Sequence, residues 1–218
     1  MCGIVGYLGK RAAFPIVIDG LKRLEYRGYD SAGFILNADQ FYGEKNKGKV
    51  SDLVAKAGEN IPTYGCGMGH TRWATHGVPN DINSHPHRSN SGKIAIVHNG
   101  IIENYESIKQ NLIKEGFVFH SDTDTEVLVN FIEYFKEKEN VNLETAVRYA
   151  LNEGVGAFAI AVMEESNPEE IVVARLGSPL VIGVGDSEPR SCHCIPAWVT
   201  RVRKKKLFPT KIYRLRSE

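Results

Sequence analysis

Cys2 follows Met1 directly and opens a short apolar run, Gly3-Ile4-Val5-Gly6-Tyr7. With so small a second residue, removal of Met1 is expected, and it leaves one residue carrying both a thiol and a free α-amine. An α-amine titrates at about 7.7–8.0, so it can accept a proton near neutrality where a lysine cannot. Thiolate is the reactive form of cysteine, and an amine within reach, directly or through one water, can take the proton from sulfur. On position alone, Cys2 serves equally well as an ordinary small residue opening a strand.

Other groups along the chain would complete such chemistry. Arg72-Trp73-Ala74-Thr75-His76-Gly77 gathers a guanidinium, an indole, a hydroxyl and an imidazole. The arginine fork fits a carboxylate in bidentate fashion and Thr75 can add a hydrogen bond; alone, a surface arginine paired with a neighbouring acid is the commoner role. Asn99-Gly100 offers a side-chain amide donor beside an unhindered backbone N–H, two donors able to stabilise an oxyanion. The same dipeptide is also the commonest type I′ turn. Asp124 lies within Ser121-Asp122-Thr123-Asp124-Thr125-Glu126, where it reads either as a helix cap or as an acceptor for the ammonium group of an amino-acid substrate. His85-Pro86-His87 with Cys66 or His98 raises zinc binding, but the spacing matches no usual pattern, so satisfied loop histidines are expected and no metal.

The elements that must position these groups follow from periodicity. Residues 2–8 read as a buried strand. Phe14, Val17, Leu21 and Leu24 recur at helical spacing, with Pro15 in the first turn and Gly28 as a stop. A polar, glycine-punctuated loop, 25–33, leads into a strand at 34–36, then a hairpin-like region to Lys49 and a short helix over 51–57. The segment from Gly65 to Gly100 holds five of the seven histidines and reads as loops carried by a rigid sheet, with a strand at 93–97. Helices are predicted over 102–114, after 121–126, and over 143–151, and strands over 157–163 and 171–174. Strands early and late with helices between predict layered α+β with antiparallel sheets.

Composition bounds the rest. The chain has 218 residues, 42% apolar and 24% charged, enough for a substantial core. No apolar stretch approaches a membrane span, the run after Cys2 is too short for a signal peptide, and four cysteines in this length make no disulfide ladder, so the cytoplasm is the expected compartment. Nine of the 27 basic residues but only one of the 26 acidic ones, Glu218, fall after Pro189, leaving 18 basic against 25 acidic in the body. The run Arg201-Val202-Arg203-Lys204-Lys205-Lys206 lacks an aromatic ladder or nucleic-acid motif, so a solvated tail is expected there.

Five ordered blocks carry a resemblance: Met1-Cys2-Gly3-Ile4-Val5-Gly6, residues 24–33, Gly69-His70-Thr71-Arg72-Trp73-Ala74-Thr75-His76-Gly77, residues 97–104, and 121–126. Together they resemble the glutaminase domain of the glutamine–fructose-6-phosphate aminotransferase family, the glucosamine-6-phosphate synthases, which use an N-terminal cysteine. The resemblance implies an N-terminal-nucleophile hydrolase fold, a four-layer αββα sandwich, and hydrolysis of L-glutamine to glutamate and ammonia through a γ-glutamyl thioester, without cofactor. It implies roles for Cys2 as nucleophile, Asn99 and Gly100 as oxyanion hole, Arg72, Thr75 and His76 at the substrate carboxylate, Asp124 at its ammonium, Trp73 on a closing loop, and Arg27 and His85 in support. The family passes ammonia to fructose 6-phosphate in a sugar isomerase region, absent here, and forms homodimers at full length. The resemblance covers residues 1–188; the basic stretch 189–218 departs from it, and on that reading is aberrant or disordered and leaves the sheet short of terminal strands. The competing reading is a catalytically idle glutamine-sensing module, and nucleic-acid binding through the tail is the remote third.

Overall fold

The computed structural model describes residues 2–37, 40–73, 78–183, 191–194 and 211–216. Among these, eleven strands form two antiparallel sheets. The first sheet takes β1 (Gly3–Leu8), β2 (Ser31–Asn37), β3 (Phe41–Lys47), β4 (Cys66–Arg72), β9 (Val181–Gly183) and β10 (Ser191–Cys194), in the order β3-β2-β4-β1-β10-β9. The second takes β5 (His87–Arg88), β6 (Ile94–Ile102), β7 (Gly156–Glu164), β8 (Glu170–Leu176) and β11 (Lys211–Arg216), in the order β11-β8-β7-β6-β5. Helices α1 (Ala13–Leu24) and α2 (Val50–Ala57) cover the outside of the first sheet, and α3 (Tyr105–Lys114), α4 (Asp124–Lys138) and α5 (Leu143–Glu153) cover the second. The layers are therefore αββα, the order the family resemblance implies, and both sheets are antiparallel, as the element order predicts.

Strand alternation builds three cores from this stack. Along β1, Val5 and Tyr7 point at α1, while Ile4 and Leu8 point between the sheets. Along β6, Ile94 and Ile96 face the helices, whereas the smaller Ala95 and Val97 face inward against Ile4, Ile35 and Met68 of the other sheet and its neighbours. Each fully buried aliphatic side chain contributes roughly 1.5–3 kcal/mol relative to exposure, so the strands that carry the site are among the most firmly held parts of the chain.

Two differences from the sequence reading bear on the site. The segment after Gly65 begins not with a loop but with β4, a central strand between β1 and β2. Its glycines hide it from an apolar-pattern search: a Cβ on Gly69 would stand 2.6 Å from Val17 and 2.9 Å from Leu21, so α1 lies directly on its backbone. Second, Asn99 and Gly100 do not turn the chain. They sit inside β6, opposite Ala159 and Phe158 of β7. Gly100 has φ +137°, and a Cβ there would stand 2.0 Å from the Ala157 carbonyl oxygen, so the position is closed to any other residue.

The basic stretch after Glu188 also differs from expectation. Its residues 191–194 pair with β1 in register Ile4↔Cys194 to Tyr7↔Ser191, and 211–216 pair with β8. Arg214 and Arg216 both reach the Glu170 carboxylate, and Leu215 is buried in the inter-sheet core. The sheets thus carry strands where the sequence predicts a shortfall.

Candidate active site

The amino-terminal end of β1 delivers Cys2 to the ends of β4 and β6. Antiparallel pairing places Gly3 opposite Thr71, which brings Cys2 beside Arg72 and Trp73. The Trp73 N–H donates to Cys2 Sγ at 3.2 Å, and the thiol can donate back to the Trp73 carbonyl at 3.4 Å. From β6, Asn99 Nδ2 donates to the Cys2 carbonyl at 3.3 Å; from the short 3-10 turn after α1, Arg27 Nη1 donates to the same oxygen at 3.4 Å. The Trp73 indole is half exposed and packed on Gly28. Burial pushes the Cys2 thiol above its ordinary pKa, opposed by the Trp73 N–H and the Arg72 charge and reinforced by Asp30.

Arg72 ends β4, is nearly fully buried, and its backbone carbonyl accepts from the Asp30 N–H at 2.7 Å. Gly100 exposes its backbone next to Asn99. Asp124 is not the cap of α4: Thr123 caps it, its hydroxyl accepting from the Glu126 N–H at 3.3 Å. The Asp124 carboxylate instead accepts from the Ile102 N–H at 2.8 Å, tying the helix start to the far end of β6, and lies 3.9 Å from His98 Nδ1. Thr75 and His76 lie outside the described residues.

Behind Cys2 and Asn99 the histidines form a buried stack. His70 Nε2 lies 3.0 Å from the His98 carbonyl and 2.8 Å from Asn99 Oδ1. The His70 and His85 rings stack at 4.2 Å, and His85 and His87 meet edge to face at 4.8 Å. Thr125 Oγ1 bridges His85 Nε2 and His98 Nδ1, each at 2.9 Å, and Thr123 Oγ1 meets His87 Nε2 at 3.0 Å. His85, expected in support, is thus one layer behind Cys2. His70 and Thr125 belong to the same network and were given no role by the sequence, while His98 was considered there only as a zinc ligand; a histidine directly after Gly69 and two residues before Arg72 in the same strand is the signal that points to His70.

Burial drives these imidazoles toward neutrality. It holds His70 down to about 3, and His85, His87 and His98 below the usual imidazole value. The unfolded chain then binds more protons than the folded one below the ordinary value of 6.5, so stability is full above that pH and declines as pH falls. Each such histidine adds a slope of up to about 1.4 kcal/mol per pH unit. The denaturant midpoint is expected to drop steeply between about pH 6.5 and 5, before most carboxylates titrate. A midpoint flat across that window contradicts neutral burial.

A family model described as the glutamine amidotransferase domain matches residues 56–184, more than half the chain. Glutamine–fructose-6-phosphate aminotransferase (isomerizing) of Bacteroides thetaiotaomicron is 57% identical over 190 residues, 86% of this chain but 31% of that protein. The Thermococcus kodakarensis protein of the same name is 48% identical over 205 residues, 94% of this chain and 34% of its own length. The chain therefore spans about a third of these relatives. Among solved structures, the glutamine phosphoribosylpyrophosphate amidotransferase from B. subtilis superposes with TM-score 0.76 at 28% identity, over 88% of this chain and 42% of its own. A glutamine aminotransferase class-II domain protein from Silicibacter pomeroyi shares the fold, with TM-score 0.53 at 14% identity over 88% of both chains. No helix of the described residues is long and apolar enough to cross a membrane.

Proposed function

The chain belongs to the glutamine amidotransferase domain family, and from that premise we propose that it hydrolyses L-glutamine to glutamate and ammonia, with Cys2 as nucleophile. The observation that carries this reading is the convergence on Cys2 of Trp73, Arg27 and Asn99 from three separate elements. In this reading residues 1–188 make up the amidotransferase domain, and strands from 191–194 and 211–216 add to its two sheets.

Burial keeps the Cys2 thiol protonated, so attack requires a base. Once Met1 is removed, the α-amine of Cys2 supplies one without a second residue having to be positioned. Sulfur attacks the side-chain carbonyl carbon of glutamine as its proton passes to the amine. The carbonyl oxygen becomes an oxyanion, met by Asn99 Nδ2 and the Gly100 N–H. Collapse expels ammonia, which takes the proton from the α-ammonium, and leaves a γ-glutamyl thioester on Cys2. Water, activated by the same amine, hydrolyses it. Arg72 supplies the cation for the substrate α-carboxylate, with Thr75 and His76, and Asp124 the anion for its ammonium; Trp73, half exposed beside the thiol, covers the bound substrate. In a longer protein of the aminotransferase type the ammonia would go to fructose 6-phosphate in a separate domain, within a homodimer.

The test is glutamate release from glutamine by the purified chain, with the intact mass read on the same sample. Release by a chain lacking Met1 is the expected result. Binding of glutamine without release, in a chain whose Met1 is gone, would overturn the catalytic reading and leave a sensing module.

A further inference from the structure

We infer that His70 is a positioning residue of this centre: its Nε2–H fixes which way the Asn99 amide faces, and so aims Asn99 Nδ2 at the carbonyl under attack. The inference rests on the glutaminase reading and adds to it a residue buried away from substrate.

An asparagine amide has two nearly isosteric ends, one a donor and one an acceptor. An oxyanion donor is useful only if the nitrogen end faces the reacting carbon. Nothing within Asn99 itself selects that end, so a neighbour must. His70 Nε2 lies 3.0 Å from the His98 backbone carbonyl, which can only accept. Nε2 must therefore carry the proton. A protonated Nε2 at 2.8 Å from the Asn99 side chain then demands an acceptor there, which is Oδ1. With Oδ1 turned inward, Nδ2 points outward to Cys2, where it donates to the Cys2 carbonyl at 3.3 Å. A backbone group thus sets a tautomer, and the tautomer sets an amide.

The surroundings keep that order intact. His70 Nδ1 is buried without a partner among the described residues, which a bare lone pair tolerates better than an N–H. Burial holds the ring neutral, so the single ring proton stays on Nε2 and Nδ1 keeps its lone pair. The His85 ring, tilted by 32° at a centroid distance of 4.2 Å and itself held by Thr125, packs against the imidazole. Besides His85, the titratable or charged groups that bear on His70 are His87, His98, which precedes Asn99, and Arg72, and a charge on any of them disfavours its protonation.

Three chains test the inference: wild type, His70→Leu and His70→Gln. Leucine removes the donor, and glutamine can place an amide N–H near the Nε2 position. His70→Leu is expected to lower kcat by about 100-fold, as an oxyanion donor left free to turn its acceptor toward the oxyanion would, with KM changed less than about twofold. His70→Gln is expected to recover to within about tenfold of wild type. Full activity in His70→Leu, or a loss confined to KM, overturns the inference while leaving the glutaminase reading in place; no release by wild type overturns that reading instead. Imidazole nitrogen spectra decide the contact without turnover or a foldable leucine variant. They are expected to show His70 as the neutral Nε2–H tautomer from about pH 5.5 to about pH 8, with its proton signal displaced in Asn99→Leu. An Nδ1–H tautomer, a protonated ring in that range, or an unmoved signal overturns the inference.

Discussion

Cys2→Ala is expected to abolish glutamate release, a fall of at least about a thousandfold, with stability nearly unchanged. The asymmetry follows from where the side chain sits. Cys2 is half-buried at the strand's entrance, ahead of the fully buried Ile4 and Val5, so the thiol lends little to the core. Its Sγ partners are the backbone N–H and carbonyl of Trp73, which solvent can satisfy when sulfur is gone. Cys66 offers chemistry no substitute, because it is sealed between the sheets and burial pushes its thiol up to about 12. Release measured against thermal unfolding checks both halves. Persistent turnover in a folded Cys2→Ala chain would remove the nucleophile from the proposed mechanism.

Asn99→Ala is expected to cost about 100- to 1,000-fold in kcat, or roughly 2.7–4 kcal/mol of transition-state stabilisation, with KM little changed. Asn99 touches no described group that binds substrate before the reaction; its donor is used as charge develops on oxygen. The variant removes one acceptor of the His70 Nε2–H, which keeps the His98 carbonyl as the other and so remains satisfied. Stability therefore moves little, and the kinetic loss can be read as lost oxyanion stabilisation. A variant that raised KM and preserved kcat would place Asn99 in substrate binding instead.

Much of the fold is legible because its helices are amphipathic and its outer strands apolar. The periodicity of Phe14, Val17, Leu21 and Leu24 marks α1, and Leu143 to Leu151 marks most of α5. β4 escapes for a physical reason: a central strand with a helix lying on its backbone needs glycine where a search looks for valine. Asn99-Gly100 misleads in the opposite direction, since a pair that favours tight turns is here held extended between neighbours. The start of α3 falls at Tyr105 rather than Ile102, because Ile102 is spent in β6, where its N–H meets Asp124. At the site, residue types point to Cys2, Arg72, Asn99 and Asp124. Orientation is what sequence withholds: which end of an amide faces a thiol is decided by a carbonyl at His98, and backbone carbonyls look alike in every sequence.

The grip on Cys2 also bears on when activity can exist. Its partners lie 25, 71 and 97 residues further along the chain, at Arg27, Trp73 and Asn99. Closing such loops is slow, and the ordering they demand is shared by both sheets. No fragment short of β6 can hold the residue in place, although that residue precedes all three of its partners in the chain. On the proposed mechanism, that order of arrival is a safeguard against premature hydrolysis. A nascent or half-folded molecule would expose a thiol without these donors, and on that mechanism glutamine is spared at least until the last of the three partners has arrived.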